Sequence, residues 1–206
     1  MRVGRRNLGL ISALALGACQ GREPAVDSAL AGSERDDSVA IVAEAWISAA
    51  DTLLDVDTPA LWTDGRTGIV VVTGKASHDL RLYDGATGET LGSLGREGAG
   101  LGEFSRPNGV IVVDDFALVV ERDNGRVQVL RMPNGESLGW FGQDVLEYPY
   151  GLAATGTPSD LTVWVTDDYE YEEDVVPQDL THRLHRFRVS FSAGGSPEVL
   201  EHDAFG

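Results

Sequence analysis

A phrase written twice limits this chain more than any other feature. "TGETLGSLG" at 87–95 returns as "NGESLGWFG" at 134–142, with Gly88/Gly135, Glu89/Glu136, Leu91/Leu138, Gly92/Gly139 and Gly95/Gly142 each 47 positions apart. A fixed period of this size marks a repeat architecture, in which each unit buries its apolar face only against its neighbours. From residue 68 onward short β-rich runs alternate with Gly, Asp and Asn: "GIVVVTG", "DLRLYD", "GVIVV", "FALVVE", "RVQVLRM", "LTVWVTD" and "RLHRFRVSF". Their lengths and spacing predict strands of an antiparallel meander, so the chain reads as all-β.

Four strands fit each period. The clearest unit runs "NGVIVV", "DFALVVERD", "GRVQVLRM", "ESLGWFG"; the unit before it begins at "PALW" and the unit after it at "PYGLAA". Leu94-Gly95, Phe141-Gly142 and Phe205-Gly206 close three successive units. Four strands in about 47 residues is the size of a β-propeller blade, and the absence of a Gly-His…Trp-Asp pair disfavours the WD40 type. A closed ring takes about four to eight blades. Three units ending on Gly206 therefore read as part of a longer chain or the product of a shortened gene, and "VAIVAEAW" at 39–46 as a candidate ring-closing strand.

The N-terminus reads as a targeting segment over residues 1–18. Arg2, Arg5 and Arg6 precede a nine-residue apolar run, Leu8 to Leu16, too short to span a bilayer. "LGAC" before Cys19 resembles the bacterial lipobox, which implies acylation of that sole cysteine; the alternative is an ordinary secretory cleavage site. Gln20 resembles the pattern sorted to the outer membrane, placing the protein lipid-anchored in the cell envelope and facing the periplasm or exterior. The small, polar, aperiodic residues 19–38 read as a tether, leaving 39–206 for the partial propeller. Without residues 1–18 the chain has 13 basic against 33 acidic residues, a charge near −20, which argues against nucleic acid as a partner.

In a meander of this kind the connections alternate between two rims, so the second-to-third-strand corners share one rim with the loops that join successive units. That rim receives Lys75 from the first unit, Glu121, Arg122, Asp123 and Asn124 from the second, and Asp167 and Asp168 from the third. The joining loops add Arg106 and Tyr150, which together with Asn124 are the candidate substrate contacts. The opposite rim carries ordinary turn residues, "DGATG" and "MPNG". Carboxylates mixed with Lys and Arg suit calcium beside phosphate groups, since Ca²⁺ takes hard oxygens and the cations clamp phosphate directly. The competing reading makes these charges solvated loop ends paired with one another, and the acidic run from Asp167 to Asp174 a solvated loop.

Other motifs offer less. "GREGAGLGEF" lacks the Gly-Lys-Ser/Thr ending of a phosphate-binding loop, and no Gly-x-Ser-x-Gly elbow is present. His182 and His185, three apart on an expected strand, should point to opposite faces and give no zinc site.

"DVDTPALW", "VTGKASHDLRLYDGATGE", "RPNGVIVVDDFALVVERDNGRVQV" and "YPYGLAA" resemble the β-propeller phytases, especially their bacterial lipoprotein branch, and less specifically NHL repeats. The resemblance runs from near Val42 to Gly206, about the first half of a six-bladed member. It implies calcium-dependent release of phosphate from myo-inositol hexakisphosphate, with Lys75 and Arg122 as phosphate clamps. Asp57, Glu121 and Asp123 would hold calcium or position water. The chain departs from the family at Asp167 and Asp168, where members carry a further lysine; these two remain calcium candidates from their place on the rim. The alternative is a non-catalytic NHL-like propeller lipoprotein that binds a ligand or protein partner on the charged rim.

Overall fold

The computed structural model describes residues 42–50, 53–168, 180–191 and 196–206, and among these described residues it shows twelve strands and no helix. The first sheet is β1 (Val56–Thr63), β2 (Gly68–Gly74), β3 (Asp79–Asp84) and β4 (Thr90–Leu94). The second is β5 (Pro107–Val113), β6 (Phe116–Glu121), β7 (Arg126–Arg131) and β8 (Glu136–Phe141). The third is β9 (Tyr148–Thr157), β10 (Asp160–Asp168), β11 (Leu184–Phe191) and β12 (Pro197–Phe205). Each is a four-stranded antiparallel meander in chain order, and the first strands β1, β5 and β9 lie side by side. The chain is thus three blades of a β-propeller, cut where the sequence period places them. The expected signal segment, the expected tether and Cys19 lie outside the described residues.

Alternating side chains explain the stacking. β10 buries Leu161, Val163 and Val165 while Thr162, Trp164 and Thr166 between them are more exposed, and β11 alternates the same way with His185, Phe187 and Val189 buried. β6 is buried on both faces because it lies mid-stack. Its Ala117 and Val119 share a buried cluster with Trp62, Val71 and Leu82 of the first sheet, and its Leu118 and Val120 share another with Val163 and Phe187 of the third. Each such Val, Leu or Phe contributes about 1.5–3 kcal/mol on burial.

The repeated phrase is a repeated backbone. Gly88 and Gly135 have φ of 74° and 71°, Gly92 and Gly139 136° and 120°, and Gly95 and Gly142 85° and 86°. L-residues avoid this region and glycine does not. Gly88 and Gly135 each close a turn by donating to the carbonyl four residues back, Asp84 and Arg131, at 2.8 Å. Gly92 and Gly139 sit at matching breaks in the β3–β4 and β7–β8 register, as bulge glycines do.

Within the run 39–46, the described residues supply no ring-closing strand. Residues 42–46 form no strand, and 39–41 lie outside the described residues. Instead the Trp46 indole donates to the Gly85 carbonyl at 3.2 Å and stacks on Tyr83, its centroid 6.3 Å away. A tryptophan that finds both an aromatic face and an acceptor on the first sheet has no need of a ladder partner.

Candidate functional site

The second-to-third-strand corners and the joining loops do share one rim. The Arg122 amide donates to Arg106 O at 3.1 Å, the Asn124 side chain donates to Gly98 O at 2.9 Å, and the Arg106 amide donates to His78 Nδ1 at 3.1 Å. Corners from the first two blades thus grip the loop between them.

The carboxylates at these corners divide into two kinds. Glu121 and Arg126 are both fully buried and paired at 2.6 Å. Glu121 also accepts from Gln128 at 2.9 Å, Asn124 at 2.6 Å and the Ser105 amide at 3.1 Å. Arg126 in turn donates to the carbonyls of Ala99, Gly100 and Glu103, and its guanidinium lies 4.2 Å over the Trp140 ring. One blade later Asp167 does the same work, accepting from the amides of Glu147 at 2.8 Å and Tyr148 at 2.7 Å. Glu121 and Asp167, expected among the calcium ligands, are clasps on the incoming loops, and Asn124 is consumed within the same clasp. A buried carboxylate with its lone pairs filled by protein donors has little left for a cation.

A cavity of about 280 Å³ opens between the first two corners, lined by Asp55, Lys75, Ala76, His78, Arg106 and Asp123. Lys75 Nζ lies 3.6 Å from Asp57 Oδ2 and 3.8 Å from Asp55 Oδ2, with its side chain 18% exposed. Arg122 pairs with Asp123 at 2.9 Å and lies 4.9 Å over the Tyr148 ring, so it leans toward the third blade and does not line the cavity. Arg106 is exposed, at φ 51°, and among the described residues its guanidinium has no ion-pair partner. His78 Nδ1 accepts the Arg106 amide, which puts the neutral ring's proton on Nε2 and makes that atom a donor.

Tyr150 and Asp168 lie elsewhere, with Asp167, around a second cavity of about 490 Å³ completed by Thr166, Leu180, Arg183 and Gly206. Of the sequence candidates, the fold therefore gathers Lys75, Arg106 and Asp123, sets Asp57 against Lys75, and separates Tyr150 and Asp168 from them. The sequence reading missed Asp55 and His78 at the cavity. Both have positive φ, 47° and 55°, and both stand beside motifs that drew notice for other residues.

The described residues around this cavity do not make up a calcium site. Asp55 and Asp57 face Lys75, Asp123 faces Arg122, and Ca²⁺ takes six to eight oxygens. Among the described residues no group of three His, Cys, Asp or Glu could hold a metal ion.

The histidines form a pair that the sequence reading did not anticipate, His185 with His202. His182 precedes β11 rather than lying on it. The buried His185 accepts from or donates to His202 through Nδ1···Nε2 at 3.0 Å, with its Nε2 3.0 Å from His182 O and 3.4 Å from Asp167 Oδ2. Nε2 donates to the carbonyl, so the neutral His185 Nδ1 accepts from His202. Partial desolvation, and then the neighbouring His185, hold the His202 imidazolium below its ordinary range; Asp203 opposes this and His182 adds to it. A base depressed in the folded chain binds fewer protons there than when unfolded. The stability it contributes is full above the ordinary histidine range and is lost as pH falls through it. Urea midpoints should therefore drop between about pH 7.5 and pH 5, and His202→Gln should flatten that fall; an equal slope in the variant would contradict the pairing.

No family model and no curated protein matches the chain. Among solved structures it is similar to Kuenenia stuttgartiensis hydrazine synthase, at 13% identity over 81% of this chain and 53% of that one, TM-score 0.44. It is also similar to BamB from Moraxella catarrhalis, at 11% identity over 72% and 37%, TM-score 0.44. A protein of unknown function from Bacteroides caccae matches at 16% identity over 78% and 50%, TM-score 0.45. The chain spans about half or less of each of these, and the propeller assignment rests on its own sheets.

Proposed function

We propose that this chain is a non-catalytic, envelope-anchored propeller that binds a phosphate-bearing small molecule in the Lys75–His78–Arg106 cavity. The observation that carries it is the Arg106 guanidinium, without an ion-pair partner among the described residues and beside a lysine whose own pairs are long. Guanidinium takes a phosphate in two parallel hydrogen bonds, lysine adds a point charge, and the His78 Nε2–H is a further donor of the right kind. With an overall charge of −17, an anion is drawn in only by such a local cluster of cations, so binding should weaken as salt rises. Anchoring in the envelope follows the N-terminal pattern around Cys19.

A second reading, calcium-dependent hydrolysis of myo-inositol hexakisphosphate, is favoured by one observation: Asp55 and Asp123 line the same cavity as the cations. Calorimetry of the full chain with inorganic phosphate and with the hexakisphosphate, alongside a phosphate-release assay with and without calcium, separates the two. Binding without release is expected, weakened about tenfold or more in both Arg106→Ala and Lys75→Ala. Unchanged affinity in both variants overturns the cavity as the site, and release that depends on calcium selects the hydrolase.

A further inference from the structure

Phosphate binding gives Lys75, His78 and Arg106 a part and leaves the two carboxylates of the same cavity, Asp55 and Asp123, without one. Neither is sealed into the fold as Glu121 and Asp167 are. The Asp55 side chain is 58% exposed and makes no hydrogen bond among the described residues; its charged contact, Lys75 at 3.8 Å, is too long to be one. Asp123 is 41% exposed and gives Oδ1 to Arg122, while its Oδ2 has no partner among the described residues.

Equivalent backbone positions supply these groups. Val56 pairs with Gly74 and Pro107 with Glu121, so Asp55 and Arg106 each stand one residue before the first strand of a blade. Each gives its carbonyl to the corner amide of its own blade, Lys75 or Arg122, at 3.1 Å, and each has a left-handed backbone, φ 47° and 51°. Aspartate visits that region more readily than arginine does, and strained residues of this kind collect where a ligand is held. The first blade thus brings an acid on its loop and a base at its corner, the second a base on its loop and an acid at its corner.

With His78 neutral, two cations against two carboxylates leave the lining without net charge. A phosphate alone meets two repulsions along with its two attractions, whereas a ligand that also carries a cation turns the repulsions into ion pairs. A hydroxyl would donate to the same oxygens but leave their charge uncancelled. At about 280 Å³ the cavity lies just below the span of about 300–1,000 Å³ common to small-molecule sites, so the two charges of the ligand must sit a few bonds apart. Building on the phosphate reading above, we infer that the ligand is a small zwitterion, a phosphate ester with an ammonium group a short carbon chain away. Its phosphate takes Arg106, Lys75 and His78, and its ammonium takes Asp55 and Asp123.

Calorimetry of the full chain near neutral pH with phosphoethanolamine, ethyl phosphate and glycerophosphoethanolamine tests this. Ethyl phosphate lacks only the ammonium, and phosphoethanolamine should bind about tenfold or more tighter than it. The double variant Asp55→Asn/Asp123→Asn should erase that preference while ethyl phosphate binds as before or tighter. Asparagine accepts the left-handed backbone at 55, and neither carboxylate is buried, so the variant keeps its fold. Glycerophosphoethanolamine carries the phosphodiester of a lipid headgroup. Affinity equal to that of the monoester assigns the zwitterion to a lipid, and loss of affinity assigns it to a soluble monoester; both results uphold it. Equal binding of phosphoethanolamine and ethyl phosphate, or a preference that survives the double variant, overturns the zwitterion and leaves the phosphate site standing. Failure of the wild type to bind either ester overturns both.

Discussion

Arg126→Met will lower the unfolding free energy by about 3–5 kcal/mol, read from the urea midpoint at constant slope. Methionine fills much of the same volume, so the loss does not come from a void. It comes from Glu121, left at zero exposure with Gln128, Asn124 and an amide but no cation. The loop at 99–103 also loses the donors that Arg126 sends to three of its carbonyls. Removing one partner of a buried pair is far more damaging than removing both. The double variant Glu121→Gln/Arg126→Met should therefore recover part of the loss, a coupling of at least about 1 kcal/mol. A loss below about 1 kcal/mol for Arg126→Met alone would mean that the pair is solvated and the clasp is not what holds the loop.

Gly142→Ala carries the next largest effect, about 2–4 kcal/mol, from two sources that a control can separate. At φ 86° any L-residue is strained, and the added Cβ would come within 2.6 Å of Leu146 Cδ1 in the core. Gly95→Ala repeats the situation one blade earlier, at φ 85° and against the buried ring of Phe104. Gly102→Ala is the control: its φ is 71°, but nothing lies within 4 Å of the new carbon, so only the backbone cost of about 1 kcal/mol should appear. Equal losses at all three positions would contradict the view that the repeated phrase fixes both a backbone shape and a close approach.

Strand boundaries were legible because period-2 alternation and glycine punctuation act locally. "GIVVVTG" and "DLRLYD" became β2 and β3 to the residue. The rim parity was legible for the same reason, since it follows from strand count alone. The roles of the charges were not. Glu121 and Asp123 are two apart in sequence, yet one is the sealed counter-ion of Arg126 and the other lines an open cavity. That division is set by loops 96–106 and 142–148 folding down onto the corners, a long-range event that residue type cannot report. His78 escaped notice because a histidine in a turn carries no signal until the Arg106 amide is seen to reach it. Trp46 was read with its apolar neighbours as a strand, whereas its indole found a carbonyl and an aromatic ring first.

The most direct test follows backbone amide resonances of the full chain during titration with inorganic phosphate. Corner carboxylates that serve the fold and a cavity that serves the ligand predict saturable shifts centred on Lys75, His78 and Arg106, with Glu121, Arg126 and Asp167 unmoved. Shifts centred on Tyr150 and Asp168, or none that saturate, would contradict it.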